Sequence, residues 1–423
     1  MGNRAFITFP PVLRALGHRN YWLFWLGQST SMIGTWMQTT AQMWLVYRLT
    51  HSSFLLGLTG FASQIPMFLL GLLGGATADR YPKKRILLLT QSLAACQALV
   101  LAGLTLAGVI SVWQILVLAT MLGTVSAFDM PARQSFLIET VDRGTLGNAI
   151  ALNSFAVNAS RMVGPALAGI MLSLWGEGVC FLLNAVSYLA VIYSLTLIRP
   201  NVRHAGGERR SSSLALVRAG LAYVRSRPEI NRPLVAIGLV SVVAMPYTVL
   251  MPVFAREILH GGPRALGVLM ASIGTGAVVG ALLLARREHV RGMHRIVGRA
   301  MAAFGVFLIL FSQSRSFILS AGILALTGFS MVTTLAGTNT LLQSLTSDAM
   351  RGRVMSLHGI MFMGMAPFGS LLAGSGAARF GAPAVVATGG AACVVGALIV
   401  LRSLPPGVPG ARRGLGGIKP EEF

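Results

Sequence analysis

Charged side chains are concentrated in residues 75–85, Gly-Ala-Thr-Ala-Asp-Arg-Tyr-Pro-Lys-Lys-Arg, between two long apolar segments. The carboxylate of Asp79 could form an ion pair, or it could face the positive amino-terminal end of a neighbouring helix. The cations Arg80, Lys84 and Arg85 could pair with carboxylates on another loop. The chemistry available to this short link is therefore electrostatic contact between helices.

A second chemically distinctive position is Arg161, which stands about midway along the apolar segment 147–174. Asn158 precedes it by three residues, so the two side chains share one face of a helix. A cation at the centre of a membrane span costs roughly 2.5–3.5 kcal/mol on insertion scales, which makes it a functional candidate by default. The alternative is a packing role, in which Arg161 bonds to carbonyls or to a polar group of a neighbouring helix.

The composition places these residues in a membrane protein. Of 423 residues, 54% are hydrophobic and 11% are charged, and the mean hydropathy is +0.70. A soluble globular chain carries about 25% charged residues. The net charge of +22 could indicate nucleic-acid binding, but the cations occupy short breaks between apolar runs and form no separable basic domain. This distribution argues against a nucleic-acid partner and for the lipid bilayer.

Apolar segments long enough to cross a membrane recur throughout the chain, since a span needs about 20 apolar residues. They predict an all-α integral membrane protein with twelve transmembrane helices. The predicted spans are 21–47, 54–78, 86–108, 112–133, 147–174, 178–198, 233–257, 264–285, 295–313, 316–340, 354–378 and 383–403.

The positions of lysine and arginine predict the orientation. If the amino terminus is cytoplasmic, 28 of the 34 basic residues fall on the cytoplasmic side, five fall on the other side, and Arg161 is the remaining one. Cytoplasmic loops are the ones rich in Lys and Arg. Both termini are therefore predicted to be cytoplasmic. Residues 1–20 show no cleavable signal, because no small-residue cleavage site follows a short apolar core.

A break rich in Arg, Ser and Gly divides the chain. It predicts an amino-terminal six-helix bundle at 1–198, a basic cytoplasmic linker at 199–232, a carboxy-terminal six-helix bundle at 233–404 and a cytoplasmic tail at 405–423. Apolar spacing within the linker, at 214–224, predicts a short interfacial helix.

Short matches recur between the two halves. Residues 164–169, Gly-Pro-Ala-Leu-Ala-Gly, are matched at an offset of 205 by residues 369–374, Gly-Ser-Leu-Leu-Ala-Gly. The Leu-Gly pair at 56–57 is matched at an offset of 210 by the Leu-Gly pair at 266–267. Ordered matches in two places indicate that a six-helix unit was duplicated, with the copies related by an axis along the membrane normal.

The spacing Gly-x-x-x-Asp-Arg-x-x-x-Lys-Arg at 75–85 resembles the signature between helices 2 and 3 of major facilitator superfamily transporters. Residues 146–153 and the pattern Arg-x-x-Gly-Pro-Ala-Leu-Ala-Gly at 161–169 are similar to the branch that holds the enterobactin (siderophore) exporter and related drug efflux carriers. The resemblance covers nearly all of 10–404. It implies two six-helix bundles in a bacterial inner (plasma) membrane, and a secondary transporter that is not an enzyme and carries no cofactor or metal.

The resemblance also implies a cytoplasmic gate, in which Asp79 faces the start of helix 11 near Val354 and holds the halves shut. Arg80 and Arg85 would pair with acids after helix 4, where Asp129, Glu139 and Asp142 are available. The alternative is a basic loop that sets topology, with an incidental aspartate. The predicted gate residues are Gly75, Asp79, Arg80, Lys84, Arg85 and Asp129.

Helices 1, 4, 7 and 10 line the central cavity in this superfamily, and helix 5 carries the buried cation described above. For each cavity residue the alternative is an interhelical hydrogen bond or plain packing. Gly164, Pro165 and Gly169 are the predicted hinge and contact surface of helix 5. The cavity candidates are Gln38, Gln42, Asn158, Arg161, Tyr247 and Asn339.

The function that the resemblance implies is alternating-access export of an amphipathic small molecule, a siderophore or a drug, by proton antiport through a monomer. Proton-coupled exporters usually place a carboxylate mid-span, and none of the twelve acids falls there. Asp129, Glu257 and His358 are the candidates for proton coupling. Two alternatives remain, a lysophospholipid transporter and a membrane sensor or scaffold that transports nothing.

Overall fold

A computed structural model of the protein describes residues 11–142, 144–199, 220–287 and 292–402. The described part is almost entirely helical, as it must be where lipid offers no hydrogen bonds to the backbone. We number the long helices α1 to α12. Their bounds are α1 Arg19–Thr50, α2 Ser53–Arg80, α3 Lys83–Leu106, α4 Val112–Glu139, α5 Leu146–Trp175, α6 Glu177–Leu197, α7 Pro228–Ile258, α8 Pro263–Ala285, α9 Met293–Gln313, α10 Phe317–Leu345, α11 Asp348–Phe380 and α12 Ala382–Leu401.

Eleven of these helices, α2 to α12, are long and apolar enough to cross a membrane. The remaining one, α1, is 32 residues long and carries Gln, Thr and Ser side chains along its length. With α1 counted, the described helices agree with the predicted all-α membrane fold. The start of α7 differs from the prediction, because α7 begins at Pro228 inside the predicted linker. Most of the predicted helix at 214–224 and all of 405–423 lie outside the described residues.

Two helices, α7 and α11, are not regular along their length. In α7, π-helical turns at Val240–Ala244 and Phe254–Ile258 flank a 3-10 turn at Met245–Thr248. Pro246 lies in that 3-10 turn, and proline cannot donate the backbone hydrogen bond that a regular helix needs. In α11 a π-helical turn occupies Ile360–Gly364. Interruptions of this kind are common at functional sites.

Aromatic pairs pack helices together within each half. In the amino-terminal half, Phe24 of α1 meets Phe136 of α4 edge to face, with ring centroids 5.6 Å apart. In the carboxy-terminal half, Phe254 of α7 packs on Phe311 of α9 with a centroid separation of 4.5 Å. The hydroxyl of the buried Tyr21 donates to the carbonyl of Ala149 at 2.9 Å, which fixes α1 against α5. These contacts make each half a packed unit.

Glycine-to-glycine contacts join the two halves. A Cβ on Gly267 of α8 would lie 2.6 Å from the Cα of Gly169 of α5. A Cβ on Gly374 of α11 would likewise lie 2.6 Å from the Cα of Gly57 of α2. Glycine permits such close backbone approach because it has no side chain. These four positions are the ones matched at the offsets of 205 and 210, so the repeat relates the two interfaces to each other.

Among the described residues, the contacts between the two halves lie from mid-span toward one end. We call the end that holds the links after α2, α4, α8 and α10 the basic face, and the other end the opposite face. Besides the glycine pairs, polar contacts join the halves from mid-span to the opposite face. They are Gln64 Nε2 to Ser370 Oγ at 3.2 Å, Arg264 Nε to Ser173 Oγ at 2.8 Å, and Tyr47 Oη to Glu257 Oε1 at 3.4 Å.

Toward the basic face, three glycines on helices that contact the other half have no neighbouring atom in reach. A Cβ added to Gly75 of α2, Gly147 of α5 or Gly352 of α11 would find no atom within 4 Å. The same three helices are in tight contact with the other half nearer the opposite face. The space between the halves therefore opens toward the basic face.

Candidate functional site

A cavity of about 330 Å³ lies between the two halves. Residues of α2, α4 and α5 form one wall, and the interrupted segments of α7 and α11 form the other. Its surface is mostly apolar with a few polar groups, which is the usual character of a small-molecule site. The lining residues are Ser63, Gln64, Met67, Gly123, Ser126, Arg161, Ser241, Met245, Pro246, Thr248, Val249, Phe362, Met363, Ala366 and Ser370.

Arg161 is the charged residue among the described residues that line this cavity. Its guanidinium carbon lies 5.2 Å from the centroid of the Trp36 ring of α1, within reach of a cation–π interaction. The absent side chain of Gly164 makes this possible, since a Cβ there would lie 2.5 Å from the Cβ of Trp36. The sequence places Gly164 one helical turn after Arg161, so Trp36 can lie against α5 beside the cation.

The guanidinium of Arg161 is incompletely satisfied. Its Nε is fully enclosed and has no hydrogen-bond partner, and within the described ranges no carboxylate forms an ion pair with this side chain. Arg133 of α4 differs, because its Nη2 lies 3.2 Å from the carboxylate of Asp129. Arg161 is therefore the predicted cavity residue that the structure places on the cavity wall.

Tyr247, the predicted cavity residue of α7, lies behind the wall. Its side chain is 2% exposed, and its ring meets Phe304 of α9 edge to face at 6.1 Å. Its neighbours Pro246 and Thr248 line the cavity. The Tyr247 hydroxyl is enclosed and has no hydrogen-bond partner among the described residues.

Gln38 and Asn158 are used in helix contacts. Gln38 Nε2 donates to Gln97 of α3 at 3.2 Å, and Gln38 Oε1 accepts from Asn184 of α6 at 2.8 Å. Asn158 donates to the carbonyl of Ser154 in its own helix at 2.9 Å. For these two positions the structure shows the interhelical or local bond that the sequence left as the alternative.

The other two cavity candidates are also away from the cavity wall. Asn339 of α10 accepts a hydrogen bond from Gln343 one turn later. Gln42 of α1 is buried and is not among the lining residues. Sequence reasoning instead missed the polar lining from α2 and α4. Of these positions only Gln64 carried a signal, as a large amide within an apolar span.

The basic link 75–85 is anchored within the amino-terminal half. Lys84 Nζ donates to the carbonyls of Ile198 and Thr196 at the end of α6, at 2.7 and 3.2 Å. The Arg80 guanidinium lies over the ring of the adjacent Tyr81, 5.7 Å from its centroid. These contacts hold the start of α3 to the end of α6.

The acids expected to pair with Arg80 and Arg85 have other partners. Glu139 pairs with Lys83 at 2.9 Å, Asp129 pairs with Arg133, and Asp142 approaches His18 at 3.9 Å. Lys83 begins α3 next to the end of α4, whereas Asp129 lies nearly three turns inside α4 and faces its own bundle. The pairing of Arg80 and Arg85 with acids after α4 stays a prediction for the conformation in which the basic face is closed.

Asp129 is the centre of a buried polar cluster in the amino-terminal half. Its Oδ1 accepts from Thr90 Oγ1 and Gln91 Nε2 of α3, both at 2.8 Å. Arg133, which pairs with its other oxygen, also donates to Gln28 of α1 at 3.2 Å. One carboxylate therefore ties α1, α3 and α4 together.

The other two candidates for proton coupling lie far from this cluster. Glu257, with a side chain 51% exposed, faces His51 at 3.8 Å and the Tyr47 hydroxyl near the opposite face. His358 is buried in α11 with its ring stacked on Phe362, and its Nε2 has no partner in the described part of the chain. The structure does not bring the three candidates into one site.

A second, polar cavity of about 530 Å³ lies at the opposite face. Arg48 of α1 and Glu177 of α6 pair across it, with Nε 2.6 Å from Oε1. Arg256 of α7 also lines this cavity, so both halves contribute to it. The glycine pairs that join the halves separate this outer cavity from the central one.

Comparison with known proteins gives concordant matches over most of the chain. Residues 12–410 match the family described as transmembrane secretion effector. The staphyloferrin A transporter of Staphylococcus aureus is 27% identical, over 80% of this chain and 85% of its own. The multidrug efflux pump Tap of Mycolicibacterium fortuitum is 25% identical, over 82% of this chain and 86% of its own. The resemblance to siderophore exporters and drug efflux carriers is confirmed.

Among solved structures, a bacterial homologue of the human lysosomal transporter Spinster, in an inward-facing and unoccupied conformation, superposes with a TM-score of 0.66. It is 14% identical, and the match covers 94% of this chain and 96% of that one. This likeness supports the fold of two helical halves around a cavity. Because the family match extends over nearly the whole chain, the protein belongs to the transmembrane secretion effector family of major facilitator superfamily transporters and is a membrane transporter, not an enzyme.

Proposed function

We propose that this protein exports an amphipathic small molecule, of the siderophore or drug class, by alternating access through the central cavity. The observation that carries the proposal is a mostly apolar cavity with one cation, sealed on one side by glycine pairs and open on the other. Relatives named as a staphyloferrin A transporter and a multidrug efflux pump support the cargo class.

The charge distribution supports the orientation in the membrane. The cavity opens toward the basic face, and the excess of Lys and Arg assigns that face to the cytoplasm. Both termini are then cytoplasmic, in the inner membrane. Cargo enters from the cytoplasm, the halves rock about the central cavity, and the glycine pairs separate to release cargo on the other side.

Proton antiport would supply the driving force. Asp129 is the preferred site because its carboxylate holds Arg133 and joins three helices. Protonation would remove the charge that holds this cluster and would loosen α4 from α1 and α3. Glu257 and His358 are the other candidates, at the opposite face and in the interrupted segment of α11.

Transport by the purified protein in proteoliposomes with an imposed pH gradient tests this function. The panel contains siderophores, drugs and lysophospholipids. We expect one siderophore or drug class to accumulate against its gradient and accumulation to stop when the pH gradient is collapsed. Transport of lysophospholipids alone would replace the proposed cargo. The absence of flux for every compound would favour a sensor or scaffold.

The cytoplasmic gate makes a separate prediction. Asp79→Asn is expected to reduce transport about tenfold, equivalent to about 1.4 kcal/mol. The reason is that the charge of Asp79 would stabilise the outward-open conformation, in which the gate closes the basic face. The protein should remain folded and inserted. Asp348→Asn is the matched control, since this acid also lies at the basic face and its side chain is 88% exposed. Normal flux through Asp79→Asn would remove the gate from the mechanism.

A further inference from the structure

The cation on the cavity wall has no anionic partner in the described part of the protein. Arg161 lies on an apolar surface formed in part by Met67, Met245, Phe362 and Met363. Breaking or omitting one member of a buried ion pair is costly, because the remaining charge loses water without gaining a partner. Here the nearest compensation is the face of Trp36, which attracts the cation only weakly compared with a carboxylate.

A second unsatisfied donor lies close to the first. The Tyr247 hydroxyl is enclosed without a partner, as is the Nε of Arg161, and the two side chains are near enough to interact electrostatically. An enclosed polar group without a hydrogen bond destabilises the fold. The phenol oxygen could accept from a guanidinium N–H, but no hydrogen bond joins these two groups in the structure. An oxygen with negative charge on the cargo could accept from the guanidinium of Arg161, which lines the cavity.

We infer that Arg161 forms a subsite for a carboxylate of the cargo, with Trp36 packed beneath the guanidinium. The inference rests on the proposed function, because it names the cargo class of that same cavity. A guanidinium is planar and matches a carboxylate with two parallel hydrogen bonds. The flexible methionine side chains of the wall can adapt to the apolar remainder of the molecule. The preferred cargo is therefore an amphipathic carboxylate.

The cavity around the subsite spans the two halves. Arg161 belongs to α5 of the amino-terminal half, and Pro246 and Thr248 on the facing wall belong to α7 of the carboxy-terminal half. Arg161 lies beside the α5–α8 interface, since its carbonyl oxygen would be 2.7 Å from a Cβ on Gly274. A cargo whose carboxylate is bound by Arg161 would thus contact both moving parts at once. Its affinity is expected to differ between the inward-open and outward-open conformations.

The test compares two fluorescent probes, dansylglycine and dansylglycinamide, which differ by a carboxylate and a neutral amide. They are titrated against the full-length protein in lipid nanodiscs. We expect the wild type to bind the carboxylate at least tenfold more tightly than the amide. Arg161→Gln should abolish this preference. Arg161→Lys should keep part of it, because the charge remains while the planar fork is lost.

A matched control lies away from the cavity. Arg315→Gln removes the same charge at an exposed position. It should keep the wild-type preference. Equal affinity of the wild type for the two probes, or binding of neither, overturns the inference. The inference is also overturned if the Arg161→Gln protein elutes from a size-exclusion column at the wild-type volume and keeps the tenfold preference.

The failure of this inference can be told apart from failure of the proposed function. If the transport panel shows gradient-driven export while the carboxylate preference is absent, only the subsite is wrong. If no compound in the panel is transported, the export function is wrong whatever the probes show.

Discussion

Gly267→Val is expected to hold the two halves apart at the opposite face and to reduce transport by at least about tenfold. The new Cβ would lie 2.6 Å from the Cα of Gly169, 2.8 Å from the carbonyl of Pro165 and 2.9 Å from the Gly169 nitrogen. These are backbone atoms of α5, which cannot move singly out of the way. Overpacking of this kind costs typically 1–3 kcal/mol, and about 1.4 kcal/mol changes an equilibrium tenfold.

The expected readouts are a loss of flux in proteoliposomes of about tenfold to a hundredfold, from the energies above, and a change in accessibility. Ser173 of α5 lies at this interface, where it accepts a hydrogen bond from Arg264 of α8. A cysteine introduced at Ser173 should react faster with a membrane-impermeant maleimide when Gly267 is valine. The faster reaction would show that the opposite face has opened.

The repeat supplies a second variant and a control for this prediction. Gly374→Val places its Cβ 2.6 Å from Gly57 Cα in the equivalent interface, so it should have the same effect. Gly103→Val adds the same side chain at a helical glycine where a Cβ meets nothing within 4 Å. Its flux should remain near that of the wild type. Normal flux through Gly267→Val, with unchanged labelling, would show that the glycine contact does not control closure.

These glycines show why much of the fold was predictable from the sequence. Hydropathy alone gave the helices, since a span must be long and apolar. The matched pairs at offsets of 205 and 210 pointed to equivalent positions, because close backbone contact tolerates little besides glycine. The start of α7 was missed because its first turn, from Pro228, is polar and contains Glu229 and Asn231. Hydropathy does not register a helix that extends beyond the lipid.

The candidate site was predictable only in part. Arg161 was found because a cation within a span is rare and costly. Gln38 was misplaced in the cavity because an amide in an apolar helix serves equally well as a bond between helices, and only the fold shows that it faces Gln97 and Asn184. The lining residues Ser63 and Ser126 bond to carbonyls of their own helices. Serine can do so anywhere in a helix, so its sequence position carries no signal.

Asp129 shows the same limit for the coupling machinery. Its position in the inner part of α4 suggested either a gate contact or a proton site. In this structure Asp129 and Glu139, two acids of the predicted gate pairs, have other partners. What the sequence could not show is that Thr90 and Gln91 of α3 both donate to it. Those contacts make Asp129 the acid whose neutralisation would disturb the most helices. The consequence can be measured.

Asp129→Asn is expected to abolish transport driven by the pH gradient. The substitution leaves the charge of Arg133 without its partner, and removing one member of a buried ion pair costs about 3–5 kcal/mol. A loss of stability alone could also reduce flux. The double variant Asp129→Asn with Arg133→Gln removes both charges, so it should recover thermal stability. Its transport should still not be driven by the pH gradient. Stability is measured as the melting temperature of the purified protein.

Counterflow separates coupling from cargo movement, since it exchanges cargo across the membrane without a net proton flux. The double variant should retain counterflow near the wild-type rate while its gradient-driven accumulation falls to background. Glu139→Gln is the matched control, because this half-buried acid pairs with Lys83 at the basic face and should leave both activities intact. Gradient-driven accumulation by the double variant at the wild-type level would exclude Asp129 as the coupling residue. The same assays on Glu257→Gln and His358→Gln would then decide between the two remaining candidates.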